Sequence, residues 1–174
     1  MFRFRKKKIT PKEFALDIYD AFVQIMKHEV DETKKFDREA FKAEHGWDYD
    51  KKRFTDESSF LFTFFIYNEV ENHFPKKKNE ILKELTEILK IKDMEFLLAP
   101  LKDYSIAWYD ALARELEIQD ESILNNPIYC VSKLASIRCF GEEWADPAKI
   151  MMFSVRVNFF TEMLSENFKR YEVV

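Results

Sequence analysis

Residues 54–74 read FTDESSFLFTFFIYNEVENHF. Wound at about 100° per residue, Phe60, Leu61, Phe62, Phe64, Phe65, Ile66 and Tyr67 cover every side of the helix and leave only Thr63 polar. A helix that is apolar all round has to be surrounded. Its run of eight residues is far short of the roughly 20 that a bilayer span needs, so the expected shell is other helices and not lipid.

The rest of the chain supplies that shell. Only Gly46 and Gly141 occur in 174 residues, and five prolines complete the chain breakers; a chain so poor in breakers is mostly helix. The expectation is an all-α protein, six to seven helices packed around the Phe-rich helix at 54–74. Eighteen phenylalanines indicate a core built more from rings than from aliphatic layers. A hydrophobic content of 47% beside 34% charge fits a soluble globular chain, read as one domain over residues 10–174 after a flexible basic tail at 1–9.

With 32 acidic and 28 basic side chains the net charge is −4, which gives no general pull toward phosphate backbones, so nucleic acid is not an expected partner. The opening MFRFRKKK clusters Lys and Arg beside Phe. Residues 2–8 are therefore either a handle for an anionic membrane surface or a solvated end. The amphipathic segment that follows is not the apolar stretch of a secretory signal. Cys130 and Cys139 are outside any CxxC spacing and too few for a disulfide scaffold, which suits a reduced, cytoplasmic setting with both thiols in the core.

Thr10-Pro11-Lys12-Glu13 is a capping box with Pro at the first helical position. The helix it opens carries Phe14, Ile18, Phe22, Ile25 and Met26 on one side. A short helix is expected at 36–46 and a charged connector at 47–53, and Pro75 ends the central helix. Ile81, Leu82, Leu85, Ile88 and Leu89 line the next helix, and Tyr104, Trp108, Leu112 and Leu116 the one after. Asn125 or Asn126 with Pro127, and Asp146 with Pro147, start the last two, which end at Gly141 and near Tyr171. Shifted by 90 residues, Lys12–Phe22 aligns with Lys102–Leu112 and Asn68 with Asn158. That register suggests two related halves, 10–91 and 101–172, or chance matching of amphipathic helices.

Most catalytic signatures are missing from the sequence. Two isolated glycines cannot supply GxGxxG or a P-loop, and neither GxSxG, HExxH nor a paired CxxC occurs. Carboxylate and histidine chemistry remains. Glu69 and His73 are one turn apart on one helix face, the spacing of two ligands for a bundle metal site, although the Glu-x-x-His motif of ferritin-like bundles does not occur. Asp20 and Asp110, which the 90-residue shift aligns, fall on polar faces.

In the last helix Ile150, Phe153, Val157, Phe160, Leu164 and Phe168 form one stripe, and Met152, Arg156, Phe159 and Met163 form a second. Two stripes need two packing partners. Either Arg156 pairs in the interior with Glu69 or Glu115, or the second stripe is an interface, where Met, aromatic residues and Arg are enriched. The leading expectation is a non-enzymatic helical domain that binds a protein partner or forms a homo-oligomer through this helix, with no cofactor. The alternative is a metal- or small-ligand-binding bundle with hydrolytic chemistry at Glu69 and His73.

Overall fold

The computed structural model describes residues 6–35, 42, 50–118, 126–141 and 146–174, the side chains of 29–35 and 115–118 excepted. Among the described residues the helices are α1 (Pro11–Lys35), α2 (Lys51–His73), α3 (Lys78–Ile91), α4 (Leu101–Ile118), α5 (Pro127–Phe140) and α6 (Pro147–Phe168). A 3-10 turn at Glu95–Leu98 precedes α4, and two short strands, β1 (Lys7–Ile9) and β2 (Tyr171–Val173), flank the helices in the chain. The protein is all-α in class. None of these helices is long and apolar enough to cross a membrane.

Every other described helix packs on α2. Leu61, Phe62, Phe64, Phe65, Ile66 and Val70 are all buried in its middle, as an all-round apolar surface demands. The rings fit together in pairs: Phe62 stacks on Phe160 with centroids 4.3 Å apart, and the edge of Phe65 meets Trp108 at 5.6 Å. On α5, Ser132, Ala135, Ser136 and Cys139 form a buried face of small side chains against α2 and α6.

The contacts also give directions. Phe14 meets Phe74, while Met26 Sδ is 3.5 Å from Ser59 Oγ, so α1 runs antiparallel to α2. Phe54 meets Phe153, Phe62 meets Phe160 and His73 meets Phe168, so α6 runs parallel to α2. Thus α1 and α6 flank α2 and run opposite to each other.

Several ends follow from their caps. Thr10 N donates to Glu13 Oε2 at 2.9 Å and Glu13 N to Thr10 Oγ1 at 3.3 Å, closing the capping box. Asp50 accepts from Lys52 N and Arg53 N at 2.9 and 3.1 Å, so α2 begins before Phe54. The expected connector at 47–53 is in its last three residues the first helical turn. Its charge reads as loop, but an Asp cap overrides that reading. Gly141 takes the left-handed φ of 68° that ends α5.

Asn126 caps α5 by accepting from Ile128 N at 2.9 Å and Tyr129 N at 3.2 Å. Asn126→Ala is expected to lower stability by about 1 kcal/mol. Urea unfolding followed by circular dichroism measures it, and an unchanged midpoint would show that this cap carries no stability.

Both chain ends depart from expectation. Helix α6 stops at Phe168, and Tyr171–Val173 pairs in parallel with Lys7–Ile9, in the stretch expected as a loose tail. Ile9 is buried in the core, and Lys7 Nζ and the Tyr171 hydroxyl both reach Asp17 Oδ2, at 3.5 and 3.3 Å. The physical reason is not local: the extended backbones at the two ends of the chain satisfy each other's hydrogen bonds while Ile9 enters the core. The short helix expected at 36–46 lies outside the described residues, Lys42 apart. Of the helix pairs that the 90-residue register would relate, Pro11 and Leu101 begin ninety positions apart, and Lys51 and Pro147 ninety-six.

Candidate functional site

Helix α6 has the two faces its spacing implies. Ile150, Phe153, Val157, Phe160, Leu164 and Phe168 are buried against the core. Of the second stripe, Met152 and Met163 are half-buried at the core's margin, and Phe159 is 71% exposed. Arg156 is half-buried between them. Its guanidinium is 4.8 Å from the Phe54 ring centroid, and Nη1 donates to the Met152 carbonyl at 3.4 Å. Of its two expected carboxylates, Glu69 is engaged by His73, and the side chain of Glu115 lies outside the described residues.

Two members of this surface are not marked by the sequence. Met151 and Val155 are 54% and 60% exposed, and with Phe159 they form a line at intervals of four along α6. The spacing was legible. Nothing in it says that the line faces water, because that depends on where the neighbouring helices end.

A groove adjoins the line and shares Phe159 with it. Helices α1 and α6 both pack on α2, and the space between them encloses about 450 Å³. The stacked rings of Phe62 and Phe160 floor it, Ile25 and Met163 wall it, and His28 and Arg156 bring positive or protonatable groups to it.

The expected ligand pair is assembled differently. Glu69 Oε2 and Ser165 Oγ are each 3.2 Å from the same nitrogen of His73, Nε2. A Ser-His-acid triad needs the serine and the acid on different ring nitrogens, so that one accepts the serine proton while the other donates to the acid. With both on Nε2 this cluster cannot relay a proton in that way. The adjoining cleft of about 440 Å³ is lined by Glu69, Thr161, Glu162, Ser165, Glu166 and Lys169. Among the described residues no three His, Cys, Asp or Glu side chains converge to hold a metal ion. Asp20 and Asp110 are exposed, and Arg114 Nε donates to the backbone carbonyl of Asp110 at 3.1 Å, not to its carboxylate.

A buried polar cluster joins α2, α4 and α5. The hydroxyl of Tyr104 donates to Glu57 Oε1, and Arg138 Nε is 2.9 Å from the same oxygen. That contact is ionic, since Nε is not aligned for a hydrogen bond. Arg138 Nη1 donates to Asp103 Oδ2 at 3.0 Å. Burial raises the Glu57 carboxyl above its ordinary pKa, while Tyr104 and Arg138 pull it down. Burial and then the neighbouring Glu57 hold the Tyr104 hydroxyl well above its usual range, so it remains a donor. Burial, with Glu57 and Asp50 nearby, pushes the Cys139 thiol up to about 12, which leaves it unreactive. No local pattern marks this cluster in the sequence, because its members come from three separate helices.

The geometry defines a helical array around a buried rod, with an exposed apolar line and a groove on its last helix. No protein-family model, curated protein or solved structure matches the chain.

Proposed function

We propose that the chain is a non-enzymatic helical interaction domain that self-associates through α6. The observation that carries this reading is the exposed line Met151, Val155 and Phe159. Its spacing is self-complementary: two α6 helices laid antiparallel about Val155 set Met151 of each copy against Phe159 of the other. An isologous twofold interface requires a patch that matches itself in this way. Phe159 is the largest anchor of the line, with Met152, Arg156 and Met163 beside it at the rim. A reducing, cytoplasmic setting belongs to the same proposal, supported by two cysteines outside any CxxC spacing and too few for a disulfide scaffold.

Light scattering and sedimentation equilibrium over a concentration series test it. The wild-type chain is expected to gain mass toward that of a dimer. Phe159→Glu is expected to weaken association at least about thirtyfold, because a carboxylate would be buried at the contact. A wild-type chain that stays monomeric throughout the series would end this reading.

A further inference from the structure

We propose that the end of the bundle where the two strands pair docks on an anionic membrane surface. This goes beyond self-association and does not rest on it.

Ring contacts fix the place. Phe14, in the first turn of α1, meets Phe74, Phe168 and Tyr171 with centroids 4.8, 5.1 and 5.1 Å away. The start of α1, the turn after α2 and the end of α6 therefore close one end together. Beside them β1 pairs with β2, and Lys7 N donates to the Arg170 carbonyl at 2.9 Å.

The closing segments are basic. Residues 6–8 and 76–78 are all lysine, Lys12 is in the first turn of α1, and Lys169 and Arg170 follow α6. Against these nine cations the same segments carry two carboxylates, Glu13 and Glu172. The adjoining helices bring four more, each engaging one lysine: Asp17 on Lys7, Glu71 on Lys78, Glu80 on Lys77 and Glu166 on Lys169. With nine cations to six carboxylates, three positive side-chain charges are in excess at this end of a chain whose net charge is −4. Lys6, Lys8, Lys12, Lys76 and Arg170 are exposed, and among the described residues none is within ion-pair distance of a carboxylate. The sequence before Lys6, MFRFR, contains no acid. The chain between α1 and α2, and that between α5 and α6, joins helix ends at the opposite end of the bundle.

The occupant follows from where the charge lies. A bilayer presents its charge as a plane, which the end of the bundle meets alone. A nucleic acid is a long rod of charge and would run on past this end along the flanks, where the acidic excess of the chain lies. Eight of the nine cations are lysines. Their compact charges on flexible stems suit the diffuse field of a headgroup layer, whereas a built phosphate or base contact favours the planar fork of Arg. The surface is also separate from the self-association line: Phe159 precedes Phe168 by nine residues, about 13 Å along the helix. In the antiparallel pair the two basic ends point in opposite directions, so one copy at a time meets a given surface.

The probe is vesicles of phosphatidylcholine with about a third phosphatidylserine, in cosedimentation at low salt, with vesicles of phosphatidylcholine alone as control. Wild type is expected to pellet with the anionic vesicles only and to be released as salt is raised. Lys76→Glu combined with Arg170→Glu reverses two unpaired cations distant in sequence from residues 1–8, and is expected to weaken binding at least about tenfold. Lys102→Glu combined with Lys133→Glu changes net charge equally at exposed positions of α4 and α5, and is expected to bind as wild type does. Phe159→Glu is expected to bind as wild type does, whether or not the chain self-associates. Absence of binding to the anionic vesicles, equal binding to phosphatidylcholine alone, equal weakening by the two double variants, loss of binding in Phe159→Glu, or binding of a short duplex DNA as tightly as of the anionic vesicles would each overturn the proposal.

Discussion

Replacing Phe65 by Ala is expected to destabilise the protein by about 3–5 kcal/mol, the range for emptying a closely packed ring site. Phe65 is 1% exposed at the middle of α2, with its ring against Phe64 and Trp108. Removing the ring forfeits its transfer free energy and leaves a cavity. That cavity cannot close easily, because helices on every side of α2 already rest on one another. In a chain of this length such a loss lowers the melting temperature by about 10 °C. Equilibrium denaturation of Phe65→Ala beside Phe159→Ala separates burial from ring chemistry. Phe159 is exposed, and its truncation is expected to cost the monomer less than about 0.5 kcal/mol. Equal losses at the two positions would show that α2 is not the enclosed rod.

Arg138→Met is expected to cost about 3 kcal/mol near neutral pH and much less in acid. Glu57 is 5% exposed, and Arg138 supplies its positive partner. Burial already raises the folded pKa of Glu57 above its ordinary value of 4.5. The folded chain therefore holds this proton more tightly than the unfolded chain does. The corresponding stability is present in full below the unfolded pKa and is lost as pH rises through the folded one. Without Arg138 the folded pKa rises further, so the loss is larger and extends to higher pH. The gap between Arg138→Met and wild type should be small near about pH 4 and widen toward about pH 7. Adding Glu57→Gln should remove most of the pH dependence, since a neutral amide still accepts from Tyr104. A gap that does not change with pH would mean that Arg138 acts through packing alone.

The helices and their inward faces were legible in the chain because both are local properties. Phe14, Ile18 and Phe22 on α1, Ile81, Leu85, Ile88 and Leu89 on α3, and the six-residue stripe of α6 are buried where their 3.6-residue period puts them. Caps at Thr10, Asn126 and Asp146 were legible for the same reason, since a cap is made within a few residues of the group it satisfies. The Asp50 cap was obscured by the charges around it. The strand at Lys7–Ile9 was hidden because its partner is at the other end of the chain.

The sites divide along the same line. Spacing alone brought Glu69 within reach of His73, one turn away on α2, and set Phe159 on the second face of α6. Tertiary structure alone decided that Ser165 and Glu69 meet one nitrogen of that imidazole, that Glu57, Tyr104 and Arg138 form a single buried cluster, and that α1 and α6 leave a groove over Phe62. The period of a helix tells which side chains share a face, because geometry repeats every few residues. Which faces meet, and which are left to water, depends on how helices distant in sequence are placed around the rod, and no local repeat encodes that.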